Sequence, residues 1–178
     1  MTSPRDKTAL ISLLDKKKME PYVRHIRFPQ YKNLAADTRV DFNYPITALV
    51  GANGTNKSSI LRALYGAPGY NNLGNFWFST STDPITETGG GPSCFIYGYW
   101  NEATHQIVEV LKTRVSKEED PDYWEPSRPI IRYGMDRMPP VAPGEPVPDG
   151  RSMTGWNAMS KNVEYLGLRA AVSAFDKF

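Results

Sequence analysis

The stretch at residues 46–65, ITALVGANGTNKSSILRALY, constrains the fold of this chain more than any other. Its first five residues are apolar or β-branched, a pattern that predicts a short strand. A turn rich in glycine and asparagine follows at residues 51–56. Ile60, Leu61 and Leu64 then recur at helical spacing. The stretch therefore predicts a strand, a tight loop and a helix in direct succession.

The predicted loop has the chemistry of a phosphate-binding site. A strand that turns sharply into a helix leaves several backbone N–H groups pointing into one concavity, and the helix N-terminus adds partial positive charge there. Lys57 would reach the β- and γ-phosphates of a nucleotide, Ser58 would hold Mg²⁺, and Ser59 would donate to the α-phosphate. The predicted phosphate-contacting residues are Gly51, Asn53, Gly54, Thr55, Asn56, Lys57, Ser58 and Ser59.

Asn56 departs from the usual pattern of such loops, G-x-x-x-x-G-K-[ST], because it stands where the second glycine is expected. Asparagine is among the non-glycine residues that best tolerate a left-handed backbone. We therefore expect the loop to be altered but usable. The alternative is a glycine-rich turn that merely precedes a helix, and the agreement of strand, loop, Lys-Ser-Ser and helix disfavours it.

The composition excludes several classes of protein. The chain has 178 residues, which suits one domain with a sizeable core, and 40% hydrophobic residues argue against global disorder. A net charge of +2 is too small for a strongly basic nucleic-acid binder. A single cysteine, Cys94, excludes an internal disulfide and a cysteine metal cluster, which favours a cytoplasmic location. No apolar run approaches the ~20 residues of a membrane span, and the N-terminus lacks the pattern of a signal peptide.

The rest of the chain predicts further strands, helices and loops. Helices are predicted at 7–20 and 162–178, strands at 22–28, 38–42, 76–79 and 129–133, a hairpin of two strands at 93–100 and 106–115, and loops at 79–92, 117–122 and 139–150. We divide the chain into an N-terminal helix at 1–20, a lobe at 21–138 with the phosphate loop at 51–59, a Pro/Gly-rich loop at 139–150 and a C-terminal helical region at 151–178.

The last predicted helix ends on Phe178 with its apolar stripe unfinished and without a terminal glycine. A natural C-terminus seldom ends in the middle of such a stripe. We therefore expect this chain to be the N-terminal part of a longer protein, or a partner to cover the helix.

Three segments together resemble a known family. HIRFPQYKNL, TRVDF and ITALVGANGTNKSS follow the order found in the N-terminal lobe of ABC-type ATPases, and most closely in the branch of the structural-maintenance-of-chromosomes, RecF and overcoming-lysogenisation-defect proteins. Asn53 and Gly54 in the middle of the loop are typical of this branch. Bacterial anti-phage ATPases of the Septu and retron-associated kinds have similar lobes. The resemblance covers residues 22–66 well and is only topological for the hairpin at 93–115.

The resemblance implies an α/β P-loop NTPase fold, with a mixed or antiparallel sheet, that is incomplete in this chain. It implies ATP and Mg²⁺ as ligands, Lys57 as the catalytic residue, Ser58 as the metal ligand and a nucleotide contact by Lys32, which could equally be a solvated loop lysine. Two such ATPase heads would form a homodimer that controls DNA or a partner nuclease or other effector, with anti-phage defence as one setting. The absence of a membrane-spanning apolar run separately predicts no membrane partner.

Several parts of such an ATPase are missing from this sequence. We find no signature motif of the LSGGE kind and no apolar strand that ends in Asp-Glu. His25 and His105 lie on or beside predicted strands, so we interpret both as core or surface residues rather than a switch histidine. We therefore expect the chain to hold the phosphates without hydrolysing ATP alone, and to need a C-terminal lobe or partner chain.

Other candidate site residues have weaker support. Gln106 is the only glutamine after the phosphate-loop helix and could complete the Mg²⁺ shell, although it begins a predicted strand. Asp83 is a second candidate near the metal. Phe28, Tyr31 and Tyr44 could stack on adenine, but as aromatic residues beside strands they are more typical of a core.

Two other functions stay open on the sequence. A small P-loop kinase would fit the length, and Arg128, Arg132, Arg137 and Arg151 could serve as a lid, but about 45 residues and two strands precede the loop. A non-catalytic nucleotide-binding interaction module would explain Asn56 as decay, although Lys57 and Ser58 are intact.

Overall fold

A five-stranded antiparallel sheet with few helices forms the centre of an α/β fold in this computed structural model, which describes residues 4–44, 46–77, 91–120 and 122–167. The strands lie in the order β2-β1-β3-β4-β5. The elements are α1 (Pro4–Asp15), β1 (Val23–Gln30), β2 (Thr38–Asp41), α2 (Lys57–Tyr65), β3 (Cys94–Asn101), β4 (Gln106–Val115) and β5 (Tyr123–Ser127), with short 3-10 helices at Leu73–Asn75 and Ile131–Tyr133.

The hairpin of β3 and β4 is the longest pairing in the sheet and confirms the sequence prediction. Its register runs from Cys94 opposite Thr113 to Asn101 opposite Gln106. The Asn101 side chain closes the turn, because its Oδ1 accepts hydrogen bonds from the backbone N–H groups of Ala103 at 3.0 Å and Thr104 at 3.3 Å. The predicted order of two strands before the loop, at β1 and β2, is also confirmed.

The two faces of the sheet differ because side chains alternate along each strand. One face carries the main core, in which α2 covers the sheet; the buried residues include Ile26, Phe28, Ile60, Ala63, Phe95, Tyr97, Val108 and Val110. The other face carries a smaller apolar cluster of Cys94, Ile96, Leu111 and Met135. Beside that cluster, His25 and Arg27 both contact the carboxylate of Glu109.

Several predicted elements differ from the observed ones. The N-terminal helix ends at Asp15 rather than residue 20. Residues 46–50 form no strand. The predicted strand at 129–133 is wrong, since Ile131–Tyr133 is a 3-10 turn. Strand β5 was not predicted, because Pro126 lies inside it; a proline is tolerated there because β5 is an edge strand.

The remaining predictions concern the loops and the C-terminal region. Residues 139–150 contain no helix or strand, as predicted. Phe76 ends the 3-10 helix at Leu73–Asn75 instead of beginning a strand, and Phe78 and Ser79 lie outside the described residues, as does nearly all of the predicted loop at 79–92. Residues 151–167 are not helical, and the rest of the predicted C-terminal helix, 168–178, lies outside the described residues.

No helix in the described part of the chain is both long and apolar enough to cross a membrane.

Candidate functional site

Helix α2 positions the candidate phosphate site. Ile60 and Ala63 are buried on one side of the helix and pack into the main core, while Leu61 on the opposite side is 45% exposed. This amphipathic pattern fixes the helix on the sheet, and its first residue is Lys57. The N-terminus of α2 therefore lies directly behind the glycine-rich loop, as the sequence predicts.

The loop at 51–56 contains three residues with positive φ. Gly51 has φ 153° and Gly54 has φ 82°, angles that favour glycine because it lacks a Cβ. Asn56, in the place of the second glycine, has φ 61° and ψ 14° and is the N-cap of α2. The predicted left-handed backbone at Asn56 is therefore confirmed. Its side chain makes no capping hydrogen bond to the helix.

The first turn of α2 leaves backbone donors available. The N–H groups of Lys57, Ser58 and Ser59 donate no backbone hydrogen bond within the described part of the chain. This is expected at a helix N-terminus, where the first four N–H groups lack intrahelical acceptors. Residues 53–59 line an open cavity of about 280 Å³ in front of these donors. The arrangement can accept an anion, because both the free N–H groups and the helix dipole favour negative charge there.

The side chain of Lys57 folds back over the loop. Its Nζ donates to the carbonyl oxygens of Gly51 at 2.9 Å and Ala52 at 2.5 Å, and it lies 3.4 Å from Oγ1 of Thr55. Oγ1 of Thr55 in turn donates to the Ala52 carbonyl at 2.8 Å. The ammonium group of Lys57 is thus held beside the cavity by neutral acceptors. A phosphate oxygen would be a stronger, charged acceptor for the same group.

The two serines after Lys57 differ in their environment. Ser58 is exposed at the start of the helix, where its hydroxyl is available to a ligand or a metal ion. Ser59 is buried, and its backbone carbonyl accepts a hydrogen bond from the Tyr31 hydroxyl at 3.1 Å. Of the two serines, Ser58 is the one whose side chain is exposed at the loop.

Lys32 lies next to Tyr31, whose hydroxyl donates a hydrogen bond to the Ser59 carbonyl in α2. It follows Tyr31 directly, has φ 50°, and places its Nζ 4.6 Å from the centroid of the Trp77 ring. Trp77 also packs against Tyr31, with ring centroids 5.0 Å apart. The contact of Lys32 with Trp77 is a cation–π interaction.

The segment before the loop, residues 46–50, forms no helix or strand. Ile46 is 83% exposed and Val50 is 88% exposed, whereas Leu49 is partly buried against the main core. A strand needs a neighbour to satisfy its backbone hydrogen bonds. Among the described residues, the five strands of the sheet are β1–β5, and none of them pairs with this segment. The apolar sequence that predicted a short strand therefore has no neighbouring strand among the described residues.

The other candidate nucleotide-contacting residues differ in position and exposure. Gln106 begins β4 and lines a separate cavity of about 180 Å³ together with Glu109 and Trp156. Phe28 and Tyr31 are fully buried in the core rather than free to stack on a base, while Tyr44 is 56% exposed.

The side chains that could bind a metal ion are scattered in the described part of the chain. Asp83, the second candidate near the metal, lies outside the described residues. No group of three or more His, Cys, Asp or Glu side chains comes together to form a metal site among the residues the structure covers. A Mg²⁺ ion at Ser58 would therefore take its other ligands from phosphate oxygens and water, which is common for this ion.

The two histidines have structural positions. His25 is 7% exposed, and its Nε2 lies 2.9 Å from Oε1 of Glu109. Its ring packs flat against Gly98, where an added Cβ would lie 2.1 Å from the imidazole Cε1. His105 is in the turn of the β3–β4 hairpin with φ 50°. This agrees with their interpretation as core and surface residues.

Comparison with known proteins gives no relative for this chain. No protein-family model matches it, and searches of curated proteins and of solved structures also find no match.

Two features of the site region were not recognised from the sequence. The hydrogen bond from Tyr31 to Ser59 joins residues 28 positions apart, and no local pattern indicates it. Lys112 is fully buried on the core face of β4. The alternation of Val108, Val110 and Lys112 was the available signal, because residues two apart in a strand face the same side.

Proposed function

We propose that this chain is the ATP-binding, N-terminal portion of an ABC-type ATPase similar to the structural-maintenance-of-chromosomes branch. The observation that carries the proposal is the geometry around Lys57. Its ammonium group lies over a glycine loop whose Asn56 adopts the left-handed backbone of the missing glycine. The first residues of α2, whose N–H groups donate no backbone hydrogen bond among the described residues, line the same cavity. Together these groups suit a phosphate chain rather than a neutral ligand.

The roles follow from position. Lys57 would hold the β- and γ-phosphate oxygens, and Ser58 would supply a hydroxyl to Mg²⁺. The loop residues Gly51, Asn53, Gly54, Thr55 and Asn56 would contact the phosphates, and Ser59 would donate to the α-phosphate. When bound, Mg²⁺ neutralises phosphate charge in the transfer reaction.

A second structural unit would complete the nucleotide site. Residues 46–50 expose Ile46 and Val50 and have no strand beside them in the described residues. A C-terminal lobe or a partner chain would supply that neighbour, together with the group that orients the attacking water. In the complete protein, two ATPase heads would close on ATP and control DNA or an effector such as a nuclease, with anti-phage defence as the proposed setting.

The test is nucleotide binding by a matched pair of lysine variants. Lys57→Ala removes the ammonium group from the loop, and because the side chain is outside the core, the variant should remain folded. Lys16→Ala removes an exposed lysine just after α1 and serves as the control. We expect the wild type and Lys16→Ala to bind MgATP alike in isothermal titration calorimetry and Lys57→Ala to lose binding. Unchanged affinity in folded Lys57→Ala would refute the site.

A further inference from the structure

We propose that Tyr31 is a positioning residue for the phosphate loop, because its hydroxyl ties the first turn of α2 to the end of β1. This inference rests on the proposed function. Strand β1 ends at Gln30, so Tyr31 is the first residue beyond the strand. Its hydroxyl donates to the Ser59 carbonyl at 3.1 Å. Ser59 is the third residue of α2, two positions after Lys57.

The Tyr31 ring is held firmly enough to act as a fixed support. It is 1% exposed and packs edge-on against three other aromatic rings, with centroid distances of 5.0 Å to Trp77, 6.0 Å to Phe95 and 6.0 Å to Trp124. Such edge-to-face contacts define the orientation of a ring as well as its burial. The position of the hydroxyl oxygen is therefore fixed relative to the sheet.

The hydroxyl also keeps its proton. Burial raises the pKa of Tyr31 well above the ordinary value for tyrosine, with a smaller opposing effect from Arg62. The group is a hydrogen-bond donor throughout the physiological range, and the Ser59 carbonyl is its acceptor. The link between β1 and α2 therefore does not depend on pH under ordinary conditions.

The consequence for the site concerns the direction of the first helical turn. Lys57, Ser58 and Ser59 line the loop cavity and have N–H groups without a backbone acceptor among the described residues, so the orientation of this turn decides where those donors lie. Fraying or rotation of the turn would move these donors and the Cα of Lys57 together. Tyr31 opposes that movement from the core side, at a distance from any bound phosphate.

The experiment compares Tyr31→Phe with Tyr97→Phe. Tyr97 is a matched control: it is also fully buried, and its hydroxyl also makes one hydrogen bond to the backbone, accepting from Met159 N–H at 3.0 Å. Both changes keep the ring and its packing. Thermal unfolding, MgATP affinity by calorimetry, and amide hydrogen exchange of residues 57–62 without nucleotide are measured for both variants and the wild type.

We expect both variants to lose similar stability. Only Tyr31→Phe should exchange faster at 57–62, and only this variant should bind MgATP more weakly, on the order of threefold to tenfold, as expected for the loss of one hydrogen bond. If the wild type binds MgATP and the two variants match each other in affinity and exchange, Tyr31 has no positioning role. If the wild type itself binds no MgATP, the proposed function fails, and the inference fails with it.

Discussion

Replacing Lys112 by methionine is expected to stabilise the protein at neutral pH. Lys112 lies on the core face of β4 with no exposed surface, and its Nζ donates to the Pro68 carbonyl at 3.3 Å. Burial lowers the pKa of Lys112 from 10.5 to about 8, against a smaller opposing effect from Glu125. Below pH 8 the protein therefore keeps a charged ammonium group in a largely apolar site, which reduces the free energy of unfolding.

The size of the effect follows from the change in pKa. At about 1.4 kcal/mol per unit, the difference between 10.5 and about 8 corresponds to about 3 kcal/mol at pH 7. Methionine has a similar length and no charge, but it leaves the Pro68 carbonyl without this donor, which costs about 1 kcal/mol. We therefore expect Lys112→Met to raise the free energy of unfolding by about 2 kcal/mol at pH 7.

The pH dependence makes the test specific. Between pH 8 and pH 10.5 the unfolded chain binds more protons at Lys112 than the folded chain does, so the stability of the wild type should rise with pH in this window. The advantage of Lys112→Met should correspondingly shrink to less than about 1 kcal/mol by pH 9.5.

Urea unfolding at pH 7, 8.5 and 9.5, followed by circular dichroism, measures this difference. Lys16→Met is the control, because Lys16 is exposed and its replacement should change little at any of the three pH values. No gain in Lys112→Met at pH 7, or a gain that stays constant with pH, would show that the buried charge of Lys112 does not destabilise the fold.

Two further predictions concern the sheet and the loop. Burial alone would raise the pKa of Glu109, but hydrogen bonds from His25 and Arg27 outweigh it and lower the pKa to about 2. The ionised Glu109 therefore adds to the free energy of unfolding above pH 4.5, and this contribution is lost as pH falls toward 2. Glu109→Gln should weaken the dependence of the free energy of unfolding on pH between 4.5 and 2, as measured by urea unfolding at several pH values. The same dependence in the wild type and the variant would contradict this. Asn56→Val should lower the free energy of unfolding by about 1–2 kcal/mol because valine resists positive φ, whereas Asn56→Gly should not lower it. Thermal unfolding of both variants measures the difference, and an equal loss of stability in both would count against the left-handed backbone at Asn56.

The sequence was most informative where local pattern and local chemistry agree. Alternation in β4, next to the apolar and aromatic run of β3 and a short polar turn, predicted the hairpin almost to the residue. The spacing of Ile60, Ala63 and Leu64 predicted α2, and the tolerance of asparagine for positive φ predicted the backbone of Asn56. Each of these features depends on residues close together in the chain.

The features that were predicted wrongly or missed all depend on contacts between residues that are distant in the chain. Residues 46–50 have the composition of a buried strand, but composition cannot provide the neighbour on which a strand depends. Strand β5 was missed because Pro126 argues against a strand unless its position at the sheet edge is known. The bond from Tyr31 to Ser59 likewise exists only once β1 and α2 pack together.

Calorimetric titration of the 178-residue chain with ATP, with and without Mg²⁺, shows whether the loop around Lys57 binds nucleotide, and phosphate release followed in the same sample shows whether the chain hydrolyses it. We expect saturable binding that is stronger with Mg²⁺, with negligible turnover, because the loop would hold the phosphates while the hydrolytic groups would come from another lobe or chain. Absence of binding would contradict the assignment of the phosphate site. Binding with steady turnover would contradict the claim that the site needs a second unit and would favour a catalytically complete enzyme.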